Sequence, residues 1–122
     1  SIKIGNKVNI QDGAIIHCTY KKTTTIIGNN VSIGHNAVVH GCKIENNVLI
    51  GMGAIIMDRS IIRKNSIVAA GSVVLEGTEI PEGTVYAGVP ARLVKKNRSK
   101  DINELTDRLS SNYIKYTSWF ID

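Results

Sequence analysis

An aliphatic residue recurs every six positions through most of this chain, and that period constrains the fold more than any other feature. Ile4, Ile10 and Ile16 begin the series. After a break it resumes at Ile27, Ile33 and Val39, and after a second break at Ile44, Ile50, Ile56, Ile62, Val68, Val74 and Ile80, with Tyr86 in the next slot. Four residues after most of these lies a small or β-branched side chain: Val8, Ala14, Val31, Ala37, Val48, Ala54, Ser60, Ser66, Ser72, Thr78 and Thr84. Helix packing needs apolar residues at steps of three and four, and a lone strand alternates briefly and stops. A sustained period of six fits neither. It fits short strands joined by tight turns, with the aliphatic residue pointing inward, the small residue at the bend, and Gly or Asn where the backbone takes positive φ.

Three such hexapeptides close one triangular coil of about 18 residues. The pattern resembles the left-handed parallel β-helix, an exception to the right-handed rule for parallel crossovers. The expected fold is therefore an all-β left-handed parallel β-helix over residues 1–94. A basic linker follows at 95–100. Residues 101–120 are expected to form a C-terminal α-helix, N-capped by Asp101 with Glu104 three residues on. Its stripe of Ile102, Leu105, Leu109, Tyr113, Tyr116 and Phe120 would pack along a β-helix.

The length of 122 residues suits a single domain, and a core of this extended kind gains from oligomerisation. The formal charge of +5 is concentrated in Lys21-Lys22 and in the Lys95–Lys100 run. No nucleic-acid recognition motif accompanies it, so a solvated loop and linker are expected and no nucleic-acid partner. No apolar run approaches the roughly 18 residues of a membrane span, and no signal-like segment opens the chain, so a cytoplasmic protein without a membrane partner is expected. Cys18 and Cys42 are then expected to be reduced, and inert when buried; soft metal ligation is the other reading.

Two irregularities mark the candidate functional region. Between Ile16 and Ile27 the step lengthens to 11 residues, around "CTYKKTTT", and between Val39 and Ile44 it shortens to five. Both adjoin histidines, and insertions in repeat proteins map to functional faces. His17 directly follows Ile16 and His40 directly follows Val39. Ile16 and Val39 are three slots apart, so the two histidines are expected to stack at one corner on adjacent coils, about 4.8 Å apart. His35 stands two residues after Ile33, at a different corner. Asp12, two residues after Ile10, should stack beside it, with Gln11 adjacent. A threefold trimer would join His17 and His40 of one subunit to His35 of the next, and three neutral imidazoles with an open position make a hydrolytic or hydration zinc site. The bland alternative is three structural, hydrogen-bonding histidines.

The stretches "NIQDGAIIHC", "IGHNAVVHGCKI" and "VLIGMGAIIMD" resemble the γ-class carbonic anhydrase-like proteins of the hexapeptide-repeat superfamily. The resemblance covers about Ile4 to Val94. It implies a homotrimer with metal at each subunit interface, His17, His35 and His40 as ligands of Zn2+ (Fe2+ or Co2+ in some members), and Gln11 and Asp12 as active-site groups. Asn112, in "SSNYIKY", resembles an active-site asparagine of the family's terminal helix. The implied reaction is reversible hydration of CO2 to bicarbonate by a metal-activated water. Two departures stand out. The segment with an "RGD"-like motif that lies N-terminal to this region in family members is not in the sequence, and the loop that holds a proton-shuttling glutamate in the most active members is replaced by the short, basic "CTYKKTTT". Slow or absent turnover is expected on that account. Two other functions fit the repeat. One is a hexapeptide-repeat acyltransferase using acetyl-CoA, because "AAGSVVLEGTEIPEGTVYAGVPARLV" resembles coenzyme A-holding coils. The other is a non-catalytic metal-binding or scaffold trimer.

Overall fold

A computed structural model describes residues 1–96 of the chain. The expected terminal helix at 101–120 and Asn112 lie outside the described residues.

The strands are two to five residues long, because each flat face of a hexapeptide coil has room for little more before the chain must bend. The first coil holds β1 (Ile2–Ile4), β2 (Asn9–Ile10) and β3 (Ile15–His17). The second holds β4 (Thr25–Ile27), β5 (Ser32–Ile33) and β6 (Val38–His40). The third holds β7 (Lys43–Ile44), β8 (Leu49–Ile50) and β9 (Ile55–Ile56). The fourth holds β10 (Ile61–Ile62), β11 (Ile67–Val68) and β12 (Val73–Val74). β13 (Glu79–Ile80) and β14 (Thr84–Ala87) begin a fifth turn, and β15 (Arg92–Lys96) ends the described chain.

Every third strand pairs in parallel, which builds three sheets on the sides of a triangular prism. Face A is β1-β4-β7-β10-β13, face B is β2-β5-β8-β11-β14 with β15 added at its end, and face C is β3-β6-β9-β12. The fold is the left-handed parallel β-helix that the six-residue period predicts. The register is also as predicted. Ile4, Ile27, Ile44, Ile62 and Ile80 form one inward column; Ile10, Ile33, Ile50, Val68 and Tyr86 a second; Ile16, Val39, Ile56 and Val74 a third. From the second coil to Ile80 these side chains are all but fully buried, whereas Ile4 and Ile10 in the first coil remain 47% and 41% exposed. A coil buries its inward residues only when coils lie on both sides of it, and here one side of the first is uncovered among the described residues.

The corners rest on left-handed backbone. At the A-to-B corner Lys7, Asn30, Asn47 and Asn65 take positive φ, and Asn30 Nδ2 donates to Asn47 Oδ1 at 2.9 Å, which ties the second coil to the third along the prism edge. Asn tolerates this region because its short polar side chain bonds locally.

The chain reverses after the Val89–Pro90 peptide, and β15 runs antiparallel to β14. Lys95 and Lys96, expected in the basic linker, are strand residues, because β14 offers a free sheet edge that the departing chain covers. The faces differ outside. Face A carries the charged residues Lys3, Lys43 and Glu79, while the outward column of face C is Ile15, Val38, Ile55 and Val73. Among the described residues no helix is long and apolar enough to cross a membrane.

Candidate metal centre

Both of the first two coils leave face C through a histidine. His17 ends β3, His40 ends β6, and the two are direct register partners. The backbone beneath them is tightly held. The Gly41 N–H reaches His17 O at 3.0 Å and the buried Thr25 Oγ1 at 2.8 Å, and the Thr25 hydroxyl itself donates to His17 O at 2.6 Å. The insertion at 18–24 closes on itself beside this corner. The Thr19 N–H bonds Thr23 Oγ1 at 2.7 Å, and Thr19 O accepts from the N–H groups of Lys22 and Thr23.

The two imidazoles lie with ring centroids 5.0 Å apart and planes tilted by 33°. His17 Nδ1 is 3.0 Å from His40 Nε2. The other ring nitrogen of His40, Nδ1, bonds Asp58 Oδ1. Asp58 belongs to the third coil and its side chain is 23% exposed. It reaches His40 because Gly41 lies between them. A Cβ at Gly41 would stand 2.5 Å from Asp58 Oδ1 and 2.7 Å from Thr23 Oγ1. Gly41 also has φ +57, a conformation that L side chains rarely adopt.

His35 occupies the opposite edge of face C, at the B-to-C corner. Its carbonyl accepts from the Gly53 N–H at 2.8 Å, and the Asp12 carbonyl accepts from Asn36 N–H at 3.1 Å. Asp12 and His35 therefore occupy successive rungs of one corner, as expected. The Gln11 side-chain amide donates to Asn9 Oδ1 at 2.6 Å, so Gln11 is held over face B beside this corner. Within one chain, no group of three or more His, Cys, Asp or Glu side chains among the described residues is arranged to hold a metal ion. The structure brings His17 and His40 together, adds Asp58, and sets His35 with Asp12 and Gln11 at the other edge of the face.

The cysteines do not join the histidines. Burial, reinforced by the negative charge of Asp58, pushes the Cys42 thiol up to about 12. It stays a neutral thiol near pH 7, and metals are held by the thiolate. Asp58 escapes a motif-based reading of the sequence. The only signal for it is register, which sets it opposite Gly41, one residue past the rung of His40.

Known proteins share this frame. Residues 24–56 and 41–76 match the family described as bacterial transferase hexapeptide (six repeats). The "Probable carbonic anhydrase" of Methanocaldococcus jannaschii is 49% identical over 114 residues, which are 93% of this chain and 70% of that protein. The chain belongs to the γ-class carbonic anhydrase-like family of hexapeptide-repeat proteins. "Gamma carbonic anhydrase 1, mitochondrial" of Arabidopsis thaliana is 41% identical over 84% of this chain and 39% of its own length. The γ-class-like chain thus spans most of one relative and well under half of the other. Among solved structures, a hexapeptide transferase family protein from Anaplasma phagocytophilum superposes with a TM-score of 0.84 at 33% identity, over 98% of this chain and 69% of that one. Membership of the γ-class-like family implies a metal cofactor.

Proposed function

We propose that the protein hydrates CO2 reversibly to bicarbonate as a homotrimer, with Zn2+ held at each interface by His17 and His40 of one subunit and His35 of the next. The observation that carries this reading is the pairing of His17 and His40 at one edge of face C while His35 stands at the other edge of the same face. Three prisms that turn face C toward a common axis bring the His35 corner of each toward the His17–His40 corner of its neighbour. The outward column of that face supports such packing. Ile15, Val38, Ile55 and Val73 carry no charge, and Ile15 and Ile55 are 55% and 39% exposed. Met52 and Met57, one coil beyond His35 and His40, extend the exposed apolar surface to both edges.

The donor set fits zinc. Three neutral imidazole donors suit it well, and Fe2+ or Co2+ accepts the same ligands. When bound, such an ion supplies Lewis acidity at an open coordination position, which brings the acidity of water there toward neutral pH. The protein's part is placement. Gln11, steadied by Asn9, offers an amide N–H and a carbonyl to an oxygen of bicarbonate. Asp12, on the rung next to His35, is a hydrogen-bond acceptor for water. Residues 18–24 contain no carboxylate, so the proton leaves to buffer rather than to a shuttling side chain.

The His40–Asp58 pair would also suit an orienting dyad for a general base in acyl transfer. That use needs a single histidine, and leaves the pairing of His17 with His40 and the placement of His35 at the other edge without a role.

Subunit mixing tests the shared site. His35→Ala and His17→Ala homotrimers should each purify without metal at the interface. Co-refolded, they should regain it, because an interface between the intact His17–His40 pair of one and the intact His35 of the other is complete. Metal retained by either single variant, or no recovery in mixed trimers, refutes the arrangement.

A further inference from the structure

We infer that Asp58 is a positioning residue that sets the tautomers of both His40 and His17, and so selects which ring nitrogens carry the lone pairs that a metal needs. The argument is one of donors and acceptors. An ionised carboxylate only accepts, so the bond between Asp58 Oδ1 and His40 Nδ1 requires the proton on His40 Nδ1. A neutral imidazole has one N–H, so His40 Nε2 then carries a lone pair. That nitrogen lies 3.0 Å from His17 Nδ1, which must donate. His17 is therefore also protonated on Nδ1, and its Nε2 holds the lone pair. One carboxylate orders two rings in series: both Nε2 atoms carry the lone pair, that of His17 open and that of His40 accepting from His17 until the His17 ring turns aside.

Among the described residues no other side chain bonds the ring nitrogens of the pair. Thr25 Oγ1 is engaged with backbone, bonding His17 O and the Gly41 N–H. Gly41 is part of the device, since a Cβ there would stand 2.5 Å from Asp58 Oδ1 and crowd the carboxylate away from His40. Carboxylates that accept from a metal-ligating imidazole raise ligand basicity and hold the ring, and losing one costs about 10- to 100-fold in metal affinity. That consequence rests on the metal reading above; the tautomer assignment does not.

The test is made on metal-stripped protein at pH 8, above the ordinary imidazole range. Nitrogen-15 shifts of the ring nitrogens, read through their couplings to the ring protons, identify the protonated position in each histidine. The wild type should show Nδ1–H for both His17 and His40. In Asp58→Ala, His40 loses its acceptor and its proton moves to Nε2. It then donates to His17 Nδ1, which shifts His17 as well, while His35 stays unchanged. Asp58→Asn, close in shape but able to donate as well as accept, should give mixed tautomers and covers the case in which the alanine variant does not fold. Nε2–H on His40 in the wild type, or unmoved rings in a folded Asp58 variant, overturns the inference. Zinc competition against a chelator then adds a separate readout, with affinity expected to fall about 10- to 100-fold in Asp58→Ala. A wild type that binds no zinc would refute the metal reading and leave the tautomer result to decide this one.

Discussion

Replacing Gly41 by alanine should cost far more stability than the same change at Gly53, although both glycines are turn residues with positive φ. The backbone penalty is similar at the two sites, φ +57 against φ +69. Holding alanine in left-handed backbone costs about 1–2 kcal/mol, partly offset by the lower entropy of the unfolded alanine chain. The surroundings separate them. A Cβ at Gly53 meets nothing within 4 Å, whereas at Gly41 it stands 2.5 Å from Asp58 Oδ1 and 2.7 and 2.9 Å from Oγ1 and Cβ of Thr23. Thr23 is tied by its hydroxyl to the Thr19 N–H and Asp58 by its carboxylate to His40, so neither moves freely. Overpacking of this kind adds about 1–3 kcal/mol. Gly53→Ala should lose about 1 kcal/mol and Gly41→Ala about 2–4 kcal/mol. With a urea slope of about 2 kcal/mol/M, the two midpoints should differ by roughly 1 M. The measurement is urea unfolding followed by far-UV circular dichroism, at matched protein concentration because the apparent stability of any oligomer depends on it. Midpoints that agree within about 0.3 M would refute the claim that the crowded corner, rather than the turn conformation, demands glycine at position 41.

Burial along the inward columns gives a second contrast. Ile50→Ala, at a fully buried site, should cost about 2–5 kcal/mol, and Ile10→Ala, 41% exposed in the same column, distinctly less. Equal losses in urea would mean that the first coil is covered in solution. Cys42 predicts an alkaline effect. Its folded pKa of about 12 lies above the ordinary thiol value of about 8.5, so the stability tied to its neutral thiol is whole below about pH 8.5 and declines as pH rises toward 12. Cys42→Ala should flatten that decline, and iodoacetamide should label the half-buried Cys18 in the native protein well before Cys42; equal labelling rates would contradict the burial argument. If the protein hydrates CO2 as proposed, turnover of the metal-loaded protein should rise with the concentration of an imidazole buffer, since residues 18–24 provide no carboxylate shuttle. A rate independent of buffer would place a proton acceptor elsewhere in the protein.

Much of this was legible because a repeat converts sequence spacing into spatial register. The 11-residue step after Ile16 and the five-residue step after Val39 disturb two turns but not the columns. Ile16 still pairs with Val39, and His17 with His40. The placement of Asp12 on the rung beside His35 followed from the same arithmetic. Asp58 did not follow from it. Register brings Asp58 opposite Gly41 but leaves open which way a corner side chain turns. That depends on the space left by the missing Cβ of Gly41 and on an acceptor being needed at His40 Nδ1. The strand at Arg92–Lys96 was hidden for a related reason: its partner, β14, is an edge created only when the stack ends.

The sequence by itself determined the coil, its three inward columns and the pairing of two histidines, because a six-residue period admits a single way of stacking aliphatic side chains inside a triangular prism. The tertiary structure decided what the corners do. Side chains there leave the repeat and are directed by contacts across coils, which is how one carboxylate from the third coil comes to face an imidazole from the second. It also set an uncharged aliphatic column on the one face flanked by His17 and His40 at one edge and His35 at the other.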